Sequence, residues 1–174
     1  MSLILNGDTG ISAVDGTAAA PALVGVDTDT GVYFSAANTL DFATAGTRRA
    51  SINSTGDLQF NSGYGSVATA YGCRAWVNFN GTGTVAIRGS GNVSSITDNG
   101  TGDYTVNFTT SMPDANFAVC YGGSYDNNGS SNQTSFTTYN LATGSVRMQT
   151  RGMFGGLTAA TLYDTLTACV AIFR

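Results

Sequence analysis

Between Gly31 and Phe60, apolar and polar residues alternate in four short runs: Val32–Phe34, Thr39–Phe42, Arg49–Ile52 and Asp57–Phe60. A period of two is the signature of a strand with one face buried. On that period Val32, Phe34, Leu40, Phe42, Ala50, Ile52, Leu58 and Phe60 fall on one face; Tyr33, Asp41, Arg49, Ser51 and Gln59 fall on the other. Asn38, Gly46 and Ser54-Thr55-Gly56 stand between the runs as turn signals. The pattern predicts a single-layer β-meander over residues 21–62 with one apolar face. A layer of that size has no partner layer of its own, and domains this small need a disulfide, a metal or oligomerisation. Three copies turned inward would close the apolar face into a triangular prism, with Val32, Phe34, Leu40, Phe42, Ile52, Leu58 and Phe60 as its core. Packing of the meander on the rest of the chain is the alternative.

After a small, Gly-rich junction at 63–72, residues 73–174 carry eight more strand signals. They are Cys73–Asn80, Thr84–Arg88, Asn92–Thr97, Tyr104–Thr109, Phe117–Gly122, Thr134–Asn140, Ser145–Thr150 and Leu166–Phe173. Turns at Gly81-Thr82-Gly83, Gly89-Ser90-Gly91, Asn99-Gly100 and Thr143-Gly144 punctuate them. Short strands at this spacing predict an antiparallel β-sandwich, with a one-turn helix expected around Met112-Pro113-Asp114. Alternation in the first strand turns Cys73, Ala75, Val77 and Phe79 inward and leaves Arg74 and Trp76 on the outer face. A large aromatic beside an Arg there suits a subunit interface; a ligand platform or simple partial burial also fits. Residues 1–20 hold one apolar patch, Leu3-Ile4-Leu5, among turn residues and read as an N-terminal attachment arm.

Composition narrows the chemistry. All seven cationic residues are Arg, all eleven anionic residues are Asp, and His, Lys and Glu are absent. Without His there is no Ser-His-Asp triad, no Cys-His dyad and no imidazole metal ligand. About a third of the chain is Thr, Ser or Asn, which favours strands and turns over helices. A net charge of -4 with scattered Arg does not suit a phosphate backbone, so no nucleic-acid partner is expected. No apolar run reaches the length of a membrane helix, and no secretory signal is visible at the start. No cofactor, no metal and no catalytic residue are expected, and the chain reads as a non-enzyme made in a cytoplasm. Cys73, Cys120 and Cys169 are odd in number and widely spaced, which suits buried or half-buried free thiols; a Cys73–Cys169 bridge is the sharper alternative. Asp27-Thr28-Asp29 lacks the later ligands of a calcium loop and reads as an Asx-rich turn. Gly81-Thr82-Gly83 and Gly89-Ser90-Gly91 lack the Lys of a phosphate loop and read as hairpin turns.

The most polar stretch runs from Gly122 to Gln133. Tyr125, Asp126, Asn127, Asn128, Asn132 and Gln133 offer amides, a carboxylate and an aromatic ring, the groups that hold sugars. They are the receptor-binding candidates, with a solvated hairpin loop as the competing reading.

Two stretches carry a family resemblance. Ala20-Pro21-Ala22-Leu23, Asp27-Thr28-Asp29-Thr30-Gly31-Val32-Tyr33-Phe34, Ala37-Asn38-Thr39-Leu40 and Arg49-Ala50-Ser51-Ile52-Asn53-Ser54-Thr55-Gly56-Asp57-Leu58 resemble the shaft modules of tailed-bacteriophage fibre proteins. Cys73-Arg74-Ala75-Trp76-Val77-Asn78-Phe79-Asn80, with Gly91-Asn92-Val93-Ser94-Ser95-Ile96 and Gly102-Asp103-Tyr104, is similar to a C-terminal domain of the same fibres. The resemblance implies an all-β, intertwined homotrimer in the virion tail or baseplate, synthesised in the host cytoplasm. It also implies N-terminal attachment to other tail or baseplate proteins and a β-sandwich tip that meets a host-surface polysaccharide or protein. A purely structural virion role, as head fibre, decoration protein or baseplate adaptor, is the alternative. A depolymerase tip with an Asp pair between subunits is the enzymatic rival.

Overall fold

The computed structural model describes residues 4–6, 10–12, 14–63, 65–124, 133–153 and 161–174. It is all-β: every regular element is a strand, every pairing is antiparallel, and the described residues contain no helix. The turn expected to be helical, Met112-Pro113-Asp114, is irregular backbone with bends. The Met112 amide there donates to the Thr143 carbonyl at 2.8 Å, so its partner lies across the fold instead of one turn away. The chain forms two compact units, Met1–Ala70 and Tyr71–Arg174.

In the first unit, β1 (Ile4–Asn6) pairs with β2 (Gly10–Ser12), and β3 (Gly16–Thr17) with β4 (Ala20–Pro21). The next six strands are β5 (Leu23–Val24), β6 (Gly31–Tyr33), β7 (Leu40–Thr44), β8 (Thr47–Ile52), β9 (Leu58–Phe60) and β10 (Ala68–Thr69). They form one sheet in which every strand lies beside its chain neighbours, a meander. Its last strand, β10, falls within the stretch read as a junction. Ala45 and Gly46, at φ 50° and 65°, make the two-residue β7–β8 turn. Positive φ at both positions gives such a turn the twist that hairpin strands require.

The second unit starts with β11 (Cys73–Asn80), β12 (Ala86–Gly91), β13 (Val93–Gly100) and β14 (Asp103–Phe108). It continues with β15 (Ala118–Ser124), β16 (Gln133–Ala142), β17 (Ser145–Met153), β18 (Thr161–Leu162) and β19 (Thr167–Phe173). All eight strands expected from the sequence are present. They divide into a sheet of order β12-β11-β19-β15 and a sheet of order β13-β14-β17-β16, with β18 added to β17. Between β12 and β13 the chain changes sheet at Asn92, which takes a φ of 55°. The Asn92 amide fixes this corner: its Oδ1 accepts from the Thr110 amide at 2.8 Å, and its Nδ2 donates to the Arg74 and Thr110 carbonyls. Asn tolerates this left-handed conformation better than other side chains do.

Inward residues of both sheets meet in one core. Ala75, Val77 and Phe79 of β11 and Ala168, Val170 and Ile172 of β19 pack with Tyr104, Val106 and Phe108 of β14 and Val146 and Met148 of β17. The rings of Phe79 and Tyr104 meet edge to face at 5.2 Å. The buried Tyr104 hydroxyl lies 2.8 Å from the Gly81 carbonyl oxygen and 2.9 Å from Asp164 Oδ1. Burial, with the Asp164 carboxylate beside it, pushes its pKa up and keeps the phenol protonated.

Candidate functional site

The two faces of the meander have the opposite of the usual accessibility. Register aligns Leu23, Val32, Phe42, Ala50, Phe60 and Ala68 in one row across the six strands, and Leu40, Ile52 and Leu58 in a second. On this apolar face Phe42 and Ile52 are each 41% exposed, Leu58 53% and Phe60 46%, while Val32 and Leu40 are half-buried. Phe34, just past β6, is exposed as well, and its amide donates to the Asp15 carbonyl. Six of the seven residues assigned to a trimer core by their spacing therefore lie in these two rows, and the seventh, Phe34, is exposed just past β6.

The other face is closed. Tyr33, Asp41 and Ser51 form a row that continues to Gln59, and the first three are buried. Pro21 is buried too, and its Cβ lies 3.0 Å from where a Cβ on Gly31 would stand, so the β3–β4 hairpin crowds this side. Burial by itself would raise the Asp41 carboxyl. Hydrogen bonds from the Ser35 and Ser51 hydroxyls and the Ser35 amide, with Arg48 3.4 Å away, overcome that and hold it below the usual carboxylate range. Arg49, expected on this face, is not there. A register shift opposite Phe42/Ala43 makes Ala43 the partner of Arg48. The bulge gives Arg48 the inward place and leaves Arg49 donating to Thr44 Oγ1 at 2.9 Å.

In the second unit, the β12-β11-β19-β15 sheet turns small and soft side chains outward. Trp76 is 47% exposed. Its ring lies over β12, where a Cβ on Gly91 would stand 2.5 Å from Nε1 and one on Gly89 3.4 Å from the ring edge. Glycine at 91 is what lets the indole lie there, while a Cβ at 89 would meet the ring edge at ordinary contact distance. Beside it an open depression of about 390 Å3 is lined by Trp76, Asn78, Cys120, Gly122, Cys169 and Ala171. Arg74, the other outer-face interface candidate, is exposed. Cys73 departs from the expected inward set because the pairing shifts between Cys73 and Ala75. All three cysteines are free: Cys73 and Cys120 are exposed and Cys169 is half-buried. Cys169 faces Asn78 across β11 while Cys73 faces Phe173, so the alternative bridge is not formed.

The outer face of the β13-β14-β17-β16 sheet is polar and ordered by its own hydrogen bonds. Arg147 grips Asp103 with two bonds of 2.8 Å, from Nε to Oδ1 and from Nη2 to Oδ2. Gln149 Nε2 donates to Asp103 Oδ2 at 3.0 Å, and Asn99 Nδ2 to Asp103 Oδ1 at 3.2 Å and to Thr105 Oγ1 at 2.9 Å. Arg147, helped by Gln149 and Asn99, brings the Asp103 carboxyl down to about 2 against the opposing effect of burial. Arg151 Nη2 donates to Gln149 Oε1 at 2.9 Å. The Arg147 guanidinium sits over the Tyr139 ring, 4.8 Å from its centroid.

This cluster was missed by the reading of the sequence, although its signal is present. Ser145, Arg147, Gln149 and Arg151 alternate with Val146, Met148 and Thr150, so one polar edge faces out. Of the receptor-binding candidates, Tyr125, Asp126, Asn127, Asn128 and Asn132 lie outside the described residues. Gln133 opens β16, opposite Met153. Among the described residues, no group of three His, Cys, Asp or Glu is placed to hold a metal ion, and no helix is long and apolar enough to cross a membrane. No family model matches the chain, and no curated protein and no solved structure matches it.

Proposed function

We propose that the chain is a non-enzymatic virion component of the tailed-bacteriophage fibre type, a homotrimer in tail or baseplate whose second unit is a β-sandwich tip for host attachment. The observation that carries this reading is the inverted meander, with two aligned apolar rows open to solvent and a polar row closed behind them. An exposed apolar patch of that extent marks an interaction surface. Identical copies are the simplest partner, because cyclic symmetry presents the same face from each chain. The N-terminal residues supply the attachment to other tail or baseplate proteins. Three tips on one stalk multiply weak contacts into useful avidity for a host-surface polysaccharide or protein. Tyr125, Asp126, Asn127, Asn128, Asn132 and Gln133 are the contact candidates in adsorption, and alanine changes across them should weaken it.

Light scattering on a sizing column tests the assembly. A mass near three times 17.8 kDa supports the trimer. A monomer at every concentration overturns it.

A further inference from the structure

We propose that the outer face of the β13-β14-β17-β16 sheet binds an acidic saccharide, with Arg151 taking its carboxylate and the exposed side of the Tyr139 ring, beside Arg147, covering a sugar ring. Charge comes first. Two guanidiniums face one carboxylate, Asp103, and Arg147 already holds both of its oxygens. Among the described residues Arg151 has no carboxylate within ion-pair distance, and a neutral amide orients it instead. The face therefore keeps one cationic group uncompensated in a chain of net charge -4. Guanidinium forks suit a planar carboxylate.

Geometry comes second. Arg147 and Arg151 are four residues apart on β17, about 13 Å along the strand, with Gln149 between them. The bonds linking Asn99, Asp103, Gln149 and Arg151 fix these side chains before any ligand arrives, which lowers the ordering cost of binding. Asp103 is 7% and Gln149 9% exposed, so the base of the site is rigid while its donors stay accessible. Tyr139, 62% exposed, presents its ring at one end.

Neighbouring groups decide the ligand class. Thr137 pairs with Gln149, Ser135 with Arg151 and Thr105 with Arg147, and Ser135 and Thr137 are exposed. Such hydroxyls exchange hydrogen bonds with a polyol. Among the described residues the face carries two cations, too few for a nucleic-acid backbone. The proposal deepens the attachment part of the fibre reading and rests on it only for the source of the saccharide. The site lies wholly within the second unit, so a monomeric mass and a failure to bind are separate results.

The test titrates the full chain with galacturonate, glucuronate and sialate oligosaccharides, the methyl-esterified galacturonate oligomer, and inorganic phosphate. The readouts are the arginine Nε–H resonances and the heat of binding. At least one acidic oligosaccharide should shift Arg147 and Arg151, bind less well as salt rises, and lose about tenfold in affinity in Arg151→Gln. The surface change Tyr139→Ala, which leaves the ion pair in place, should weaken the same ligand, with unchanged thermal melting as the control for folding. The proposal is overturned if no acidic oligosaccharide moves either resonance or if the ester binds as tightly. It is equally overturned if inorganic phosphate alone matches the oligosaccharide, or if both variants bind like the parent.

Discussion

The two units solve the same problem in opposite ways. In the second, two sheets turn their apolar faces together and close a core around Phe79, Tyr104, Val106, Val146 and Met148, all fully buried. In the first, one sheet buries Tyr33, Asp41 and Ser51 and leaves Phe42, Ile52, Leu58 and Phe60 open. A closed core is complete within one chain. An open apolar face carries a standing hydrophobic driving force that only another surface can satisfy.

The strongest way to break this contrast compares two phenylalanines. Phe79→Ala removes a ring that is 0% exposed and should cost about 3–5 kcal/mol, read as a lower urea midpoint at every protein concentration. Phe42→Ala removes a ring that is 41% exposed. It should leave the midpoint at high dilution nearly unchanged and, if the proposed trimer forms, shift its balance toward monomer. If Phe42→Ala were as costly as Phe79→Ala at high dilution, the apolar face would already be packed within the chain.

How much of this was legible in the sequence follows the same divide. Period-two alternation, with the turn residues between runs, placed eight of the second unit's nine described strands and missed the two-residue β18, because side chains obey the pleat. It also sorted the meander's faces, since the register rows join the residues the spacing had grouped. What alternation cannot carry is which face the chain covers. Asp41 was readable as an outward polar residue, and its burial depends on Ser35, Ser51, Arg48 and the β3–β4 hairpin, contacts no local pattern announces. Bulges were equally silent: one inserted residue exchanged Arg48 for Arg49, and another turned Cys73 outward. The Asp103 cluster was hidden differently. The partners of Asp103 lie 4 to 46 residues from it in the chain, and Arg147 and Gln149 become its neighbours only when β14 and β17 pair.

That cluster gives the next expected effect. Asp103→Asn keeps the shape but removes the charge that Arg147 grips, and should cost about 2 kcal/mol. The wild type should show the same loss by titration. Because the folded Asp103 pKa, at about 2, lies below its ordinary 3.8, its contribution is fully present above about pH 4 and fades as pH falls toward 2. Chemical denaturation across that range should show a slope that Asp103→Asn lacks. An identical slope in the variant would assign the acid sensitivity elsewhere.

Asp41 offers a smaller version in the first unit. Its carboxyl is also held below the usual 3.8, so its contribution is present above that value and is lost in acid through the lowered pKa. Asp41→Asn should lower the meander's stability at neutral pH, converge with wild type as acid protonates the native carboxyl, and leave unfolding of the second unit unchanged. A fall in the second unit's midpoint would mean that the two units unfold together.

The smallest effect belongs to Asp114 and Arg174. Arg174 Nη2 reaches Asp114 Oδ2 at 2.6 Å and Nε reaches Oδ1 at 3.0 Å, a two-pronged geometry much like that of Arg147 on Asp103. Both side chains are 38% exposed, however, and water competes for each charge. Arg174 lowers the Asp114 pKa, yet exposed pairs contribute little once solvent screening and side-chain ordering are counted. Arg174→Ala should therefore leave the denaturation midpoint within experimental scatter and remove only a slight salt dependence. A loss as large as that of Asp103→Asn would show that burial is not what separates the two pairs. The expected contrast instead assigns the strength of the Asp103 pair to its enclosure beneath Gln149 and Asn99.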